Sequence, residues 1–328
     1  MTILVTGGTG FIGGRVTRNL LSKDQPVVCM DYAPNPAPFA DLRDEPKLKI
    51  VQGDIAHIDD VVAAIRDHGV RRIIHLAALL PPATEEEPRL AMRINIMGAT
   101  NVFEAAARLG LERVVYASSV AAFDDQEYYG DRAVNEDDEL HPYIIYGYTK
   151  MMNEVVARRY TEVFGLDTRG LRPASVIGYG RMTGRSAEVS RLICGAAIDG
   201  VFKATQSRKQ TSSLIHVDDI VEMFVRLCIT DLLERDVYLS GGATASLEEI
   251  AELVRKHLPD AEITFPDGVD LYPNLQKSDG SRLARDIKYQ FPDIEARIVD
   301  TINEARRDHG IAYPPVTLKR PSTDNPTT

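Results

Sequence analysis

Thr6-Gly7-Gly8-Thr9-Gly10-Phe11-Ile12-Gly13 decides the fold of this chain. An apolar run, Ile3-Leu4-Val5, precedes it, and a helical pattern from Phe11 to Leu21 follows. The order is strand, glycine turn, helix. Gly7 and Gly10 let the backbone bend sharply and let a ligand approach with no Cβ in the way. The amides at the start of the next helix, about Phe11, Ile12 and Gly13, then face a pyrophosphate. A flexible loop that happens to hold glycines lacks this setting. Here the glycines lie between a strand and a helix, as a dinucleotide fingerprint requires.

Outward from that unit, strand and helix signals alternate. Strands are predicted at Ile3–Thr6, Pro26–Met30, Leu48–Gln52, Arg72–Leu76, Arg113–Ser118 and Thr168–Arg172. Helices are predicted at Phe11–Leu21, Ile58–His68, Arg89–Leu109 and Ile145–Phe164. The strands are nearly continuous apolar runs, as expected where helices cover both faces of a parallel sheet. The fold class predicted is α/β, a Rossmann-type doubly wound parallel sheet with a smaller C-terminal substrate-binding region. After Pro173 the pattern loosens into Gly, Arg and Ser, with a helix expected at Glu188–Ala197. Strand Ser213–Ile215, helix Val217–Ile229 and strand Val237–Ser240 return to the sheet. Helix Leu247–His257, strand Glu262–Phe265 and helix Pro292–His309 follow. The expected organisation is a dinucleotide-binding domain over 1–173, rejoined by 214–242. A substrate-binding region covers 174–213 and 243–316, and 317–328 is a loose tail.

The totals narrow the class. A chain of 328 residues, 44% hydrophobic, has enough apolar material for a sizeable core. Its 38 basic and 48 acidic residues leave a net charge of −10, which disfavours nucleic acid as a partner. An anionic cofactor must then be held by backbone dipoles and a few basic side chains. Cys29, Cys194 and Cys228 are widely spaced, with no metal-ligand pattern, and suit a reducing compartment. No metal is expected. Cys29 reads as a buried, inert thiol within an apolar strand. No stretch reaches the length of a membrane span, and Met1 runs directly into the first strand. A cytoplasmic enzyme with no membrane contact is expected.

Asp31 ends the second strand, where an acid meets the adenosine ribose. Its carboxylate accepts ribose hydroxyls and repels a 2′-phosphate. The residues that follow, Tyr32, Ala33 and Pro34, bring no cation, which favours NAD over NADP. Gly53-Asp54-Ile55 either contacts adenine or forms an ordinary turn. His75 reads as a core histidine, and small Ala77 and Ala78 after Leu76 would leave room for a dinucleotide crossing.

Tyr146 and Lys150 stand four positions apart on a predicted helix and share a face. An ammonium beside a phenol favours the phenolate. Such a tyrosine takes a proton from an alcohol or gives one to a carbonyl near neutral pH. Lys150 can also bond the nicotinamide ribose. Ser118-Ser119 lie at the carboxyl end of the fifth strand, the end that opens onto the ligand crevice, and a hydroxyl there can orient the reacting oxygen. Helices Arg89–Leu109 and Ile145–Phe164 are apolar beyond one face. The surplus suits either a partner subunit or burial within the chain.

These motifs together resemble an extended short-chain dehydrogenase/reductase, the NAD-dependent epimerase/dehydratase family. The resemblance runs from Thr2 to about Pro314. It rests on Thr6 to Gly13, Asp31, Asp54-Ile55, Leu76-Ala77-Ala78, Asn95, Ala117-Ser118-Ser119, Tyr146-Gly147-Tyr148-Thr149-Lys150, Arg172-Pro173 and His216-Val217-Asp218-Asp219. It implies that Tyr146 is the acid/base, Lys150 its tuner and ribose ligand, and Ser119 the partner of the reacting oxygen. It implies that Ser118 lines the cofactor, that Asn95 supports the active-site helix and a water, and that Pro173 borders the nicotinamide. His216 to Asp219 would anchor the second region to the first. A homodimer through the two apolar helices is implied as well.

The departures from the family narrow the reaction. Sugar dehydratases carry an Asp-Glu pair after the serine position, where this chain has Val120-Ala121. Nucleotide-sugar epimerases carry an arginine ahead of the His-Val-Asp-Asp segment, where this chain has Thr211-Ser212-Ser213. A second arginine is replaced by Leu271-Tyr272-Pro273-Asn274. Arg181, Arg185, Arg191, Arg208 or Lys209 could supply the charge-assisted donors a diphosphate needs. The expected function is hydride transfer between NAD and a secondary alcohol or ketone of a small hydroxylated substrate: a sugar, sugar acid or hydroxy acid. A sugar or nucleotide-sugar epimerase and a non-enzymatic NAD sensor are the alternatives.

Overall fold

Successive side chains of a strand point to opposite faces, so a strand apolar throughout is buried on both. The computed structural model, which describes residues 1–231, 233–311 and 314–318, has such strands at its centre. In chain order the strands are β1 (Thr2–Thr6), β2 (Val27–Asp31), β3 (Leu48–Gln52), β4 (Val70–His75), β5 (Arg113–Ala117), β6 (Asp167–Arg172), β7 (Ser175–Ile177), β8 (Val201–Lys203), β9 (Thr211–His216), β10 (Val237–Leu239), β11 (Ala243–Ser246) and β12 (Glu262–Thr264). Seven of them form one sheet in the order β10-β6-β5-β4-β1-β2-β3. Every neighbouring pair in it runs parallel.

The register sorts the core. Ile3, Val5, Ile74, Val115 and Leu171 enter one face, against Val16 and Leu20 of helix Phe11–Ser22 and Ile220 and Phe224 of helix Val217–Ile229. Leu4, Val28, Ile73 and Val114 enter the other. There they meet Val61 of helix Ile58–His68, Val102 and Phe103 of helix Ala99–Arg108, and Ala157 of helix Ile145–Phe164. Phe103 sets its ring edge-on to Tyr116, with centroids 5.4 Å apart. Each such aliphatic side chain contributes about 1.5–3 kcal/mol on burial. The order of strands reverses between β1 and β4, and in open parallel sheets this is where the carboxyl ends leave a crevice.

The chain divides into two compact units: Met1–Val176 with Thr211–Ala245 and Tyr272–Phe291, and Ile177–Gln210 with Ser246–Leu271 and the described residues from Pro292 on. The second unit contains helices Glu188–Asp199, Leu247–His257 and Ile294–Asp308 and the parallel pair β12-β8. Ser246 and Glu249 close a reciprocal cap on the second of these helices, and Asp293 caps the third through the amide of Ala296. Val316 is held by Asn303 through both its amide and its carbonyl, at 2.9 Å each. Of the tail expected from 317 on, only 317 and 318 are described; the rest lies outside the described residues.

The predicted helix Arg89–Leu109 differs in detail. It is a short α-turn, Pro88–Ala91, then a wide π-helical stretch, Met92–Gly98, then α-helix Ala99–Arg108. The wide stretch brings both Asn95 and Gly98 inward. A Cβ on Gly98 would lie 2.7 Å from Cδ1 of Ile55, and Asn95 is buried. Short elements without a strong local period also went unpredicted, including β7, β8, β11 and helices Gln126–Tyr129 and Ser281–Asp286.

Among the described residues no helix is long and apolar enough to cross a membrane.

Candidate active site

The carboxyl ends of the central strands carry most of the residues singled out from the sequence. Gly7, just past β1, has φ +65°, a left-handed conformation open to glycine. A Cβ there would lie 2.9 Å from the amide nitrogen of Ala77, just past β4. The bend is thus pressed onto the neighbouring strand end. Helix Phe11–Ser22 then starts at Gly10 with no side chain capping it. The first amides of a helix lack partners within it. Those of Phe11, Ile12 and Gly13 therefore open a helix whose positive end is free of any capping side chain, which suits a pyrophosphate.

Asp31 stands at the end of β2 and is half-buried. Its Oδ2 accepts the Thr9 amide at 3.1 Å and the Thr9 hydroxyl at 2.7 Å. The carboxylate is fixed in direction by the glycine bend itself. An uncapped helix start, a glycine bend with no space for a Cβ and an oriented acid together fit a dinucleotide. Asp54 closes a small turn, its Oδ1 accepting the amide of Ala56 at 2.9 Å. Ile55 is buried against Gly98, and its carbonyl accepts from Asn101 at 2.9 Å. Leu76, Ala77 and Ala78 are half-buried. The Thr6 hydroxyl meets the amides of Leu76 and Ala77 at 3.2 and 3.3 Å and Nδ1 of His75 at 2.7 Å. Burial, aided by the charge of Lys150, pushes His75 down to about 3, so this core histidine is neutral.

At the end of β5 the two serines part. Ser118 is 2% exposed and donates its hydroxyl to Glu154, while its amide bonds the Leu171 carbonyl at 2.7 Å. Glu154 in turn holds Arg172 through two bonds of 2.8 and 2.7 Å. The Ser118 side chain is part of this internal network. Ser119 is half-buried and starts the turn Val120–Ala122, its Oγ accepting the Ala121 amide at 3.0 Å. Pro173 is buried, and its carbonyl accepts from the Val120 amide at 3.1 Å.

Helix Ile145–Phe164 brings Tyr146 and Lys150 to this edge. Gly147 lies directly on the serine turn, where a Cβ would come within 2.0 Å of the Ala121 carbonyl oxygen. Only glycine allows that approach. Lys150 is 4% exposed, donates to the Ala117 carbonyl at 2.8 Å and has Nζ 5.4 Å from the centre of the Tyr146 ring. Burial pushes its ammonium down to about 8. Tyr146 itself is half-buried.

Asn95 clasps Leu79, accepting its amide at 2.7 Å and donating to its carbonyl at 2.9 Å. Its Nδ2 also reaches Oγ1 of Thr149 at 3.3 Å, and that hydroxyl donates to the Tyr146 carbonyl at 2.7 Å. Gly7, Asp31, Ala77, Ser119, Tyr146 and Lys150 are thus all at or just past the carboxyl ends of strands, or on the helix that faces them. Gly147 and Arg172 stand in the sequence motifs with no role of their own, and Glu154 was not singled out. The spacing of Glu154, one helical turn beyond Lys150, was the available signal.

In the second unit, Arg191 pairs with Glu188, and Arg208 pairs with Glu248 at 3.2 Å while covering the Phe265 ring at 5.5 Å. Arg181 donates to Ser186 at 3.1 Å.

Comparison with known proteins identifies the family of this chain. The model of the NAD dependent epimerase/dehydratase family matches residues 3–237. A putative UDP-glucose 4-epimerase of Methanocaldococcus jannaschii is 26% identical over 87% of this chain and 90% of its own length. A 3 beta-hydroxysteroid dehydrogenase/Delta 5-->4-isomerase of Mycobacterium tuberculosis is 29% identical over 65% of this chain, which spans 57% of that protein. Among solved structures, L-threonine dehydrogenase from Clostridium difficile superposes with a TM-score of 0.83 at 24% identity, over 95% of this chain and 99% of that one. UDP-glucose 4-epimerase from Thermus thermophilus, in complex with NAD, gives 0.79 at 22% identity, over 93% and 99%. The family model spans most of the chain, so this chain belongs to the NAD dependent epimerase/dehydratase family and is an NAD-dependent enzyme of the extended short-chain dehydrogenase/reductase type.

Proposed function

We propose that the enzyme is a dehydrogenase or reductase acting on a secondary alcohol, or the matching ketone, of a small hydroxylated substrate. The observation that carries this reading is the buried Lys150 ammonium, 5.4 Å from the centre of the Tyr146 ring. A cation held there favours the phenolate of Tyr146. Tyr146 then takes the proton of the alcohol hydroxyl, or returns it to a carbonyl. Ser119 donates to the same oxygen and keeps it aligned with the phenol. Lys150 bonds the ribose next to the nicotinamide, and Pro173 borders the ring. The amides of Phe11, Ile12 and Gly13, Asp31, and the small surfaces of Ala77 and Ala78 hold the remaining length of the cofactor. Asp54 and Ile55 border its adenine end. Because the Ser118 hydroxyl is engaged with Glu154, that residue meets the cofactor through its backbone. NAD, when bound, accepts hydride from the carbinol carbon. Substrate choice is assigned to 174–213 and 243–316, with loops Leu79–Pro88 and Phe123–Pro142.

The epimerase reading has its support in the M. jannaschii relative, which aligns along most of both chains. Against it, Arg191 and Arg208 are paired with carboxylates of their own unit. Releasing Arg191 to grip a diphosphate would take the cation from the buried Glu188 carboxylate, which the Thr205 amide and hydroxyl also hold. A single assay separates the two readings. Free sugars, sugar acids, hydroxy acids and nucleotide sugars are each mixed with NAD, and the absorbance of reduced nicotinamide is followed. A dehydrogenase accumulates reduced cofactor in proportion to substrate. An epimerase turns over with no net change. Undiminished turnover in Tyr146→Phe would remove the catalytic assignment.

The same reading includes a homodimer. Tyr148, Met152, Val155, Val163 and Phe164 of helix Ile145–Phe164 and Met97 before helix Ala99–Arg108 are exposed large apolar side chains. Such a face suits a second copy of the chain, and sedimentation equilibrium tests it. The three cysteines are buried free thiols, which suits the reducing cytoplasm.

A further inference from the structure

Helix Ile145–Phe164 opens with no cap of its own: Ile144, the residue before it, has no side-chain acceptor. The cap comes from elsewhere in the chain. One carboxylate oxygen of Glu85, Oε2, accepts the amide of Ile145 at 3.1 Å, and the other, Oε1, accepts the amide of Tyr146 at 3.1 Å. Two of the helix's unpartnered donors are satisfied by one side chain, and an acid at this end also suits the helix dipole. Glu85 is itself set in place. The hydroxyl of Thr84, fully buried, donates to Oε1 at 3.1 Å, and the Glu85 amide bonds the Pro82 carbonyl at 2.9 Å. The segment starts at Leu79, which Asn95 clasps at both its amide and its carbonyl.

The two peptide groups that flank the Tyr146 side chain are therefore held from outside the helix ladder. Glu85 holds the amide in front of it, and Thr149, backed by Asn95, meets the carbonyl behind it. A phenol projects from a backbone fixed on both sides. Gly147 next to it lies against Ala121, so the helix has little freedom to slide. Loss of either hold would let the first turn fray, and the phenol would move with it.

We propose that Glu85 is a positioning residue for Tyr146: by closing the amino end of the catalytic helix across the fold, it fixes where the phenol stands. The inference rests on the assignment of Tyr146 as the acid/base. Its test is therefore built to separate the two. Enzyme carrying tyrosine labelled with carbon-13 at Cζ gives one resonance per tyrosine. The resonance missing from Tyr146→Phe identifies Tyr146. In Glu85→Ala the Tyr146 resonance is expected to shift or broaden, with that of Tyr238, whose hydroxyl is held by Asp286, unchanged. The Tyr146 amide is expected to exchange with deuterium about tenfold faster, the loss of one charge-assisted hydrogen bond. The kcat on the best alcohol found in the screen above is expected to fall about tenfold or more, since small displacements of a reacting group are costly. KM for NAD is expected to stay within about twofold, because no cofactor contact is removed. Glu85→Gln, which keeps one good acceptor, is expected to recover part of both the exchange protection and kcat.

An unchanged Tyr146 resonance and unchanged kcat in folded Glu85→Ala, alongside an inactive Tyr146→Phe, overturns this inference and leaves the catalytic assignment in place. An active Tyr146→Phe overturns the catalytic assignment, and with it the positioning role. A shifted resonance with kcat unaltered overturns the positioning role as well. A fall in melting temperature with no change in resonance or kcat marks Glu85 as a stabilising cap and does the same.

Discussion

The Lys150 ammonium is tied to the Ala117 carbonyl at 2.8 Å and stands 5.4 Å from the centre of the Tyr146 ring. One bond fixes the cation to the carboxyl end of β5, and the phenol stands one helical turn away from it on the same helix.

Burying that cation has a thermodynamic sign. The ordinary lysine value of 10.5 is pushed down to about 8 by burial. The unfolded chain therefore binds this proton more tightly than the folded one. The penalty is full below pH 8 and fades as pH rises to 10.5. Lys150→Met is expected to be more stable than the parent at pH 7 by about 2 kcal/mol, after allowing for the lost bond to Ala117. The gap should close as pH approaches that of free lysine, and urea unfolding at several pH values measures it. Turnover by the same variant should fall at least about a hundredfold.

Gly147 tolerates no side chain. Gly147→Ala places a Cβ 2.0 Å from the Ala121 carbonyl oxygen, so either the helix or the serine turn must move. A loss of about 1–3 kcal/mol is expected from overpacking, together with a fall in kcat far larger than that stability loss explains. Calorimetry and steady-state kinetics on the same preparation check both.

The internal trio Ser118–Glu154–Arg172 predicts unequal costs. Arg172 and Glu154 are 5% and 3% exposed. Glu154→Leu leaves the guanidinium buried without its partner, and about 3–5 kcal/mol of stability should be lost. Ser118→Ala removes one bond and should cost about 1 kcal/mol. Equal midpoints for the two variants in urea would contradict the network.

Asp31 should set the choice of cofactor. Its Oδ2 is engaged by Thr9, so its direction is fixed. Asp31→Asn removes the charge, and affinity for NAD is expected to fall about tenfold or more with the lost charge-assisted bonds. Affinity for NADP should rise relative to it once the repulsion of the 2′-phosphate is gone. Titration of the reduced cofactors by their fluorescence reads both.

Much of this was legible from local pattern. The alternation of apolar runs and helical periods gave the parallel sheet because both signals repeat within a few residues. The glycine bend and the spacing of Tyr146 and Lys150 are likewise local. What the chain concealed is contact between distant residues. Glu85 meets the helix 60 positions later, and nothing near residue 85 or residue 145 announces the other. The pairing of Arg172 with Glu154 needs both the end of β6 and the helix before it in place. The short strands β7, β8 and β11 have no lengthy pattern of their own and form where a neighbour offers hydrogen bonds.

The wide turn Met92–Gly98 places a constraint on the length of the chain as well as on its composition. An ordinary helix advances by about 100° per residue and a wide one by less, so a single deletion in this stretch would restore the tighter winding and shift the residues inside it while the flanks stay nearly aligned. Asn95 or Gly98 would then swing out of register, even if the residue removed were Met97, which is 54% exposed and replaceable in side chain. Here a substitution that looks harmless and a deletion at the same codon have opposite fates.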